Sequence, residues 1–145
     1  MILNVENIKC RNDHDPVVMV DDSETDLDIA KRVFERSKLE NPFMTFFDGS
    51  SFLDYMEQVR MGRRPIPALV LMDVNMPMLN GFETIESLRS EKQFSTIPVV
   101  VMLTNSDNPA DSQKAMKVGA NGFQTKFSDI AAYTAFFDEL KPQTE

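Results

Sequence analysis

Short continuous apolar runs alternate along this chain with segments in which apolar residues recur every three or four positions. The first run, Val17 to Val20, has the length and continuity of a strand buried on both faces, and it ends in Asp21-Asp22. Helical spacing follows at Leu27, Ala30, Phe34 and Ser37, with Ser23 as the N-cap and Asp26 three residues on as its capping-box partner. Asn41-Pro42 closes that helix. Phe43 to Phe47 reads as a second strand, and Phe52, Tyr55, Met56 and Val59 as a second helix broken by the Gly62 to Pro67 stretch. Ala68 to Asp73 is a third strand that delivers a carboxylate to its own tip. A short loop with Pro77 and Asn80-Gly81 leads to a helix from about Gly81 to Ser90. Ile97 to Leu103 makes a fourth strand with Thr104 at its end, and Asn108-Pro109 opens a helix that Gly119 closes. Gly122 to Thr125 is a fifth strand, followed by Lys126. Ser128 caps a last helix in which Ile130, Tyr133, Phe137 and Leu140 share a face and which Pro142 stops.

Strands alternating one for one with helices predict an α/β fold, a parallel sheet with helices on both faces. The common solution for five such units is the flavodoxin-like (βα)5 three-layer sandwich with strand order 2-1-3-4-5. Without a repeat or linker, residues 16–141 form one domain. Residues 1–15 form a tail, expected to pack loosely because Ile2, Leu3, Val5 and Ile8 show no period, and 142–145 form a second tail. In open parallel sheets, ligands bind beyond the carboxyl ends of the strands at the switch point. Asp21, Asp22, Asp73, Thr104 and Lys126 all stand at such ends.

Composition narrows the chemistry. The net charge of −8 disfavours direct binding to nucleic acid or to anionic membranes. No apolar run approaches the length of a membrane span, and residues 1–16 lack a signal-peptide pattern. Cys10 is alone, which rules out an internal disulfide, and the single His14 lies in a polar stretch, which disfavours a catalytic triad or a multi-histidine zinc site. A cytoplasmic protein is expected. Three carboxylates held together repel unless a cation joins them, and Mg²⁺, a hard ion that takes few protein ligands, is the natural partner. Mg²⁺ and Lys126 together balance Asp21, Asp22 and Asp73, which suits a phosphate-bearing substrate. Asp73 can act as a nucleophile toward phosphorus, while Thr104 and Lys126 address the phosphoryl oxygens.

Val20-Asp21-Asp22-Ser23, the Asp73-x-x-Met76-Pro77-x-x-Asn80-Gly81 loop, Thr104, and Gly119-Ala120-Asn121-Gly122-Phe123 leading to Lys126 resemble the receiver domain of two-component response regulators over residues 16–140. The resemblance implies that Asp73 accepts a phosphoryl group from a phosphohistidine on a histidine kinase or histidine phosphotransfer protein. It implies Mg²⁺ held by Asp22, Asp73 and the Asn75 carbonyl, with Asp21 acting through water. Thr104 and Phe123 would be the switch residues, helix four, strand five and helix five the signalling surface, and the protein a phosphoacceptor rather than an enzyme. Since the sequence stops soon after the last helix, a stand-alone regulator read by a separate effector is expected, as a monomer or a phosphorylation-dependent dimer. The Thr-Lys-Phe ending and the Gly62–Pro67 connection are similar to regulators serving phytochrome-type or other hybrid kinases.

Two positions depart from the family. Phe127 stands where a cis-proline is usual. A non-proline cis bond costs roughly 2.5–4 kcal/mol, so a trans bond and a shifted loop are expected, which puts the reach of Lys126 in question. Asn105 stands where a small residue is usual, and altered phosphorylation or dephosphorylation rates are expected. Phe127 itself reads as a core plug in preference to a partner contact. Three other readings compete. A haloacid-dehalogenase-type Mg²⁺ phosphatase lacks its second acid, since Asn75 holds that place. A flavin mononucleotide carrier would not put Asp21-Asp22 where phosphate binds. A phosphorylation-independent binding module keeps the fold without the switch.

Overall fold

The computed structural model of the chain describes residues 8–105 and 108–142. Five parallel strands, β1 (Val17–Val20), β2 (Phe43–Phe46), β3 (Leu69–Asp73), β4 (Val100–Thr104) and β5 (Gly122–Thr125), lie in the order β2-β1-β3-β4-β5. Five helices alternate with them: α1 (Glu24–Arg36), α2 (Gly49–Arg60), α3 (Gly81–Ser90), α4 (Pro109–Val118) and α5 (Ile130–Glu139). This is the expected flavodoxin-like three-layer sandwich.

The alternation of each strand divides the core in two. Val18, Val20, Val70, Met72, Val100 and Met102 face Phe52, Met56, Ile85 and Leu88 of α2 and α3. Val17, Met19, Leu69, Leu71, Val101 and Leu103 face Leu27, Ala30, Phe34, Tyr133 and Phe137 of α1 and α5. The second layer is aromatic: the Phe137 ring meets Phe34 edge-on at 5.4 Å and stacks on Tyr133 at 5.1 Å.

Several local expectations change. β4 begins at Val100 rather than Ile97, two residues after Pro98, which has no amide to give to the ladder. Asp129, not Ser128, caps α5, accepting from the Ala131 and Ala132 amides. Ile130 leaves the apolar face and is exposed, and Phe136 takes its place in the core. On α1, Val33 rather than Ser37 completes the buried stripe. The described part of the N-terminal segment is a strap rather than a loose tail. The Cys10 amide donates to the Leu140 carbonyl at 2.8 Å and the Arg11 amide to Ala68 at 3.1 Å. The Asn41 amide group clamps the segment by donating to the carbonyls of Asn12 and Asp15. The expectations for Ile2, Leu3 and Val5, and for residues 143–145 of the C-terminal tail, lie outside the described residues.

Candidate functional site

Register brings the strand tips together. Val20 pairs with Met72 and Asp73 with Leu103, so Asp21, one residue past β1, is level with Asp73. Thr104 pairs with Thr125, and Lys126 is the next residue. The ladder continues past the strands: Asp21 donates its amide to the Phe46 carbonyl, Val74 to Leu103 and Lys126 to Thr104, at 2.7–3.0 Å. These bonds make a fixed floor for the acidic side chains.

The loop after Asp73 is closed as tightly. Gly81 donates its amide to the Val74 carbonyl at 2.9 Å. A Cβ at Gly81 would lie 2.2 Å from the Asp73 carbonyl oxygen, so only glycine admits this approach. Asn80 and Glu83 form a complete capping box at the start of α3, each side chain accepting from the other's amide. Met76 turns into the core, whereas Met78 is fully exposed and has a positive φ of 67°. Met76 thus fills space and Met78 does not.

Carboxylate oxygens of Asp21, Asp22 and Asp73 all lie within 4.8 Å of one another. Asp21 and Asp73 are buried and Asp22 is exposed, which leaves the group open to solvent on one side. The donor set fits a hard divalent ion: it offers only oxygens, and its charge is in excess over the nearby lysine. Burial first, and Asp21 second, push the Asp73 carboxyl up to about 7, against the opposing pull of Lys126 and the Asn75 amide.

Lys126 reaches the cluster despite Phe127. Among the described residues Ile97-Pro98 is the only cis bond, so Lys126-Phe127 is trans, as expected. The Lys126 Nζ donates to Asp21 Oδ2 and to Asp26 Oδ2, both at 2.9 Å, and lies 3.4 Å from Asp73 Oδ1. Burial works against its charge. The hydrogen bonds to Asp21 and Asp26 and the pull of Asp73 outweigh it and hold the ammonium above the ordinary lysine range. Phe127 is half-buried, stacking on Tyr133 at 4.9 Å and meeting Phe136 at 5.1 Å, which is the plug expected of it.

The remaining predicted site residues are dispersed around this group. Thr104 is fully buried at the end of β4, and Asn75 is exposed in the loop beside Asp73. Phe123 is half-buried against the α2–α3 layer, on the other side of the sheet from Tyr133. Asn105 lines a cavity of about 200 Å³ together with Asp21, Asp26, Lys126, Phe127 and Tyr133. Asp26 was expected only as a capping partner of Ser23. The Ser23 amide instead donates to Asp21 Oδ1 at 2.9 Å, and the Asp26 carboxylate goes to Lys126. Its place one helical turn after the acidic pair was the only available signal.

The family model for the response regulator receiver domain matches residues 17–136. The chain belongs to this family. The receiver domain is 28% identical over 115 residues to the response regulator Rcp1 of Synechocystis, covering 79% of this chain and 78% of that protein. Among solved structures, it is 31% identical to the response regulator RPA3017, described in red light signalling of R. palustris, with a TM-score of 0.75 and coverage of 86% and 90%. It is 32% identical to the bacteriophytochrome response regulator RtBRR, with a TM-score of 0.73 and coverage of 90% and 80%. Membership in the receiver family sets aside the dehalogenase-type phosphatase and the flavin carrier. No helix among the described residues is long and apolar enough to cross a membrane.

Proposed function

We propose that this receiver domain works in a two-component phosphorelay, with Asp73 as the phosphoacceptor. The observation that carries this reading is the convergence at one buried strand tip: Asp73 within 4.8 Å of the acidic pair and 3.4 Å from the Lys126 ammonium. In the transfer, a carboxylate oxygen of Asp73 forms a bond to phosphorus as the phosphorus–nitrogen bond of a phosphohistidine breaks; the other ring nitrogen of that histidine is already protonated, so it leaves as neutral imidazole. Lys126 pairs with one phosphoryl oxygen, and the Thr104 hydroxyl donates to another. Asp21, Asp22, Asp73 and the Asn75 carbonyl are the groups that would hold Mg²⁺. When bound, the ion supplies positive charge against the phosphoryl oxygens.

The donor is a histidine kinase or a histidine phosphotransfer protein. The likeness to red-light and bacteriophytochrome regulators supports a phytochrome-type kinase in this role. Thr104 and Phe123 relay the phosphorylated state to the α4–β5–α5 surface, which a separate effector protein reads. The protein is a phosphoacceptor that assists its own phosphorylation and dephosphorylation, not a turnover enzyme. It acts in the cytoplasm, as a monomer or a phosphorylation-dependent dimer, and its net charge of −8 supports protein partners over nucleic acid or membranes.

The test is intact-mass measurement after incubation with a small acyl phosphate and Mg²⁺, repeated with a phosphorylated kinase. One added phosphoryl group, absent in Asp73→Asn and in chelator, is expected. A wild-type protein that stays unmodified by both donors would refute the reading and leave a phosphorylation-independent binding module.

A further inference from the structure

We propose that Asp26 is a positioning residue that restrains Lys126, holding its ammonium toward α1 until a phosphoryl group on Asp73 competes for it. The proposal rests on the reading of Asp73 as phosphoacceptor. An ammonium has three donors. Here Asp21 and Asp26 take two of them at 2.9 Å, while the carboxylate Lys126 is meant to serve lies farther off, at 3.4 Å.

Asp26 directs its carboxylate to Lys126. It sits in the first turn of α1, where its own amide donates to the Ser23 Oγ at 3.2 Å. Its carboxylate does not cap the helix in return, because the Ser23 amide is already held by Asp21. It is not among the carboxylates that converge as a candidate metal cluster, which are Asp21, Asp22 and Asp73. Its side chain is 40% exposed and the Lys126 side chain 16%, so the pair bridges from the buried site to the solvent edge. Phe127 lies beside them in the wall of the same cavity, with its ring anchored on Tyr133 and Phe136.

A phosphoryl group on Asp73 adds strong acceptor oxygens and close to two negative charges. Lys126 must turn a donor toward it, and the contact to Asp26 is the exposed, weaker one to surrender. Removing Asp26 frees that donor in advance and also removes a negative charge facing an anionic ligand. Both effects favour the phosphorylated state. Because the pair is part-exposed, the effect is set at about fivefold, the size of a good surface ion pair.

The test uses fluoroberyllate with Mg²⁺ as a non-covalent stand-in for the phosphoryl group, titrated by calorimetry, alongside the rate of phosphorylation by a small acyl phosphate. Asp26→Asn is expected to bind fluoroberyllate about fivefold tighter and to be phosphorylated faster by a similar factor. Asp26→Glu, which keeps the charge, should restore behaviour close to wild type. Glu24→Gln removes an exposed charge from the same helical turn without touching Lys126 and should change neither readout. Unchanged or weaker binding in Asp26→Asn, or an equal gain in Glu24→Gln, overturns the restraint while leaving Asp73 as phosphoacceptor. A wild-type protein that neither binds fluoroberyllate nor accepts a phosphoryl group takes down both.

Discussion

Replacing Gly81 by alanine gives a test in which the sign alone decides. Gly81 is the first residue of α3 and has ordinary negative φ, since Gly62 and Gly119 are the glycines with positive φ among the described residues. On helix propensity alone, alanine would stabilise by about 1 kcal/mol. The packing opposes this. The new Cβ would meet the Asp73 carbonyl oxygen at 2.2 Å, Met102 Cε at 2.9 Å and the Val74 Cα at 3.0 Å. Met102 can swing away, but the other two are backbone at the end of the central strand. Overpacking against such atoms costs about 3 kcal/mol, at the upper end of the usual range. The net is a loss of about 2 kcal/mol, which lowers the melting temperature by about 6 °C in a domain of this size. The backbone that must move carries Asp73, so phosphorylation should slow as well. Urea unfolding followed by circular dichroism measures the stability change through the transition midpoint at constant slope. The matching change at Gly62, where φ is +75° and nothing lies within 4 Å of the added Cβ, is a control for backbone strain without a clash. A Gly81→Ala protein as stable as wild type or more so would refute the argument that this close approach is what fixes the loop.

Further outcomes follow from buried groups. Cys10 is nearly inaccessible, and burial pushes its thiol from 9.0 up to about 12, so the thiolate fraction near pH 8 falls about a thousandfold; native protein should resist a disulfide reagent that labels it rapidly in urea, and fast labelling of the folded protein would contradict the strap. Phe137 is fully buried among Phe34, Phe43, Tyr133 and Phe136, so Phe137→Ala should cost about 4 kcal/mol by urea titration, and a loss under 1 kcal/mol would show the aromatic layer to be loosely packed. Asn80→Ala removes one half of the capping box and should cost about 1 kcal/mol, whereas Asn80→Asp should be near neutral; equal losses in both would assign the effect to something other than the cap.

The fold was legible because β1, β3 and β4 are unbroken apolar runs up to their polar tips, and because α1 and α4 are followed by stops at Asn41-Pro42 and Gly119. Errors fell where a local preference lost to a tertiary one. Ser128 is a good capping residue, yet Asp129 caps α5. Ile130 fits the helical period, yet it lies in the exposed first turn, and the core there is closed by Phe127 and Phe136 instead. The described part of the N-terminal segment, residues 8–15, is neither helix nor strand. Its order comes from hydrogen bonds to Ala68 and Leu140 and two from Asn41, partners remote in sequence that no local pattern announces.

The site shows the same division more sharply. Strand-end position was enough to find Asp21, Asp22, Asp73, Thr104 and Lys126, because a parallel sheet places all its tips on one edge. It could not say which of the acids Lys126 would serve, since that depends on distances of a few tenths of an ångström across three elements. Asp26 is the clearest case. Its spacing from Ser23 matches a capping box, and the amide it would have capped is claimed by Asp21 from two residues upstream. One backbone donor with two candidate acceptors therefore decides where the Asp26 charge goes. Because Asp21 takes that donor, a residue that would have been a helix cap becomes a partner of the lysine beside Asp73.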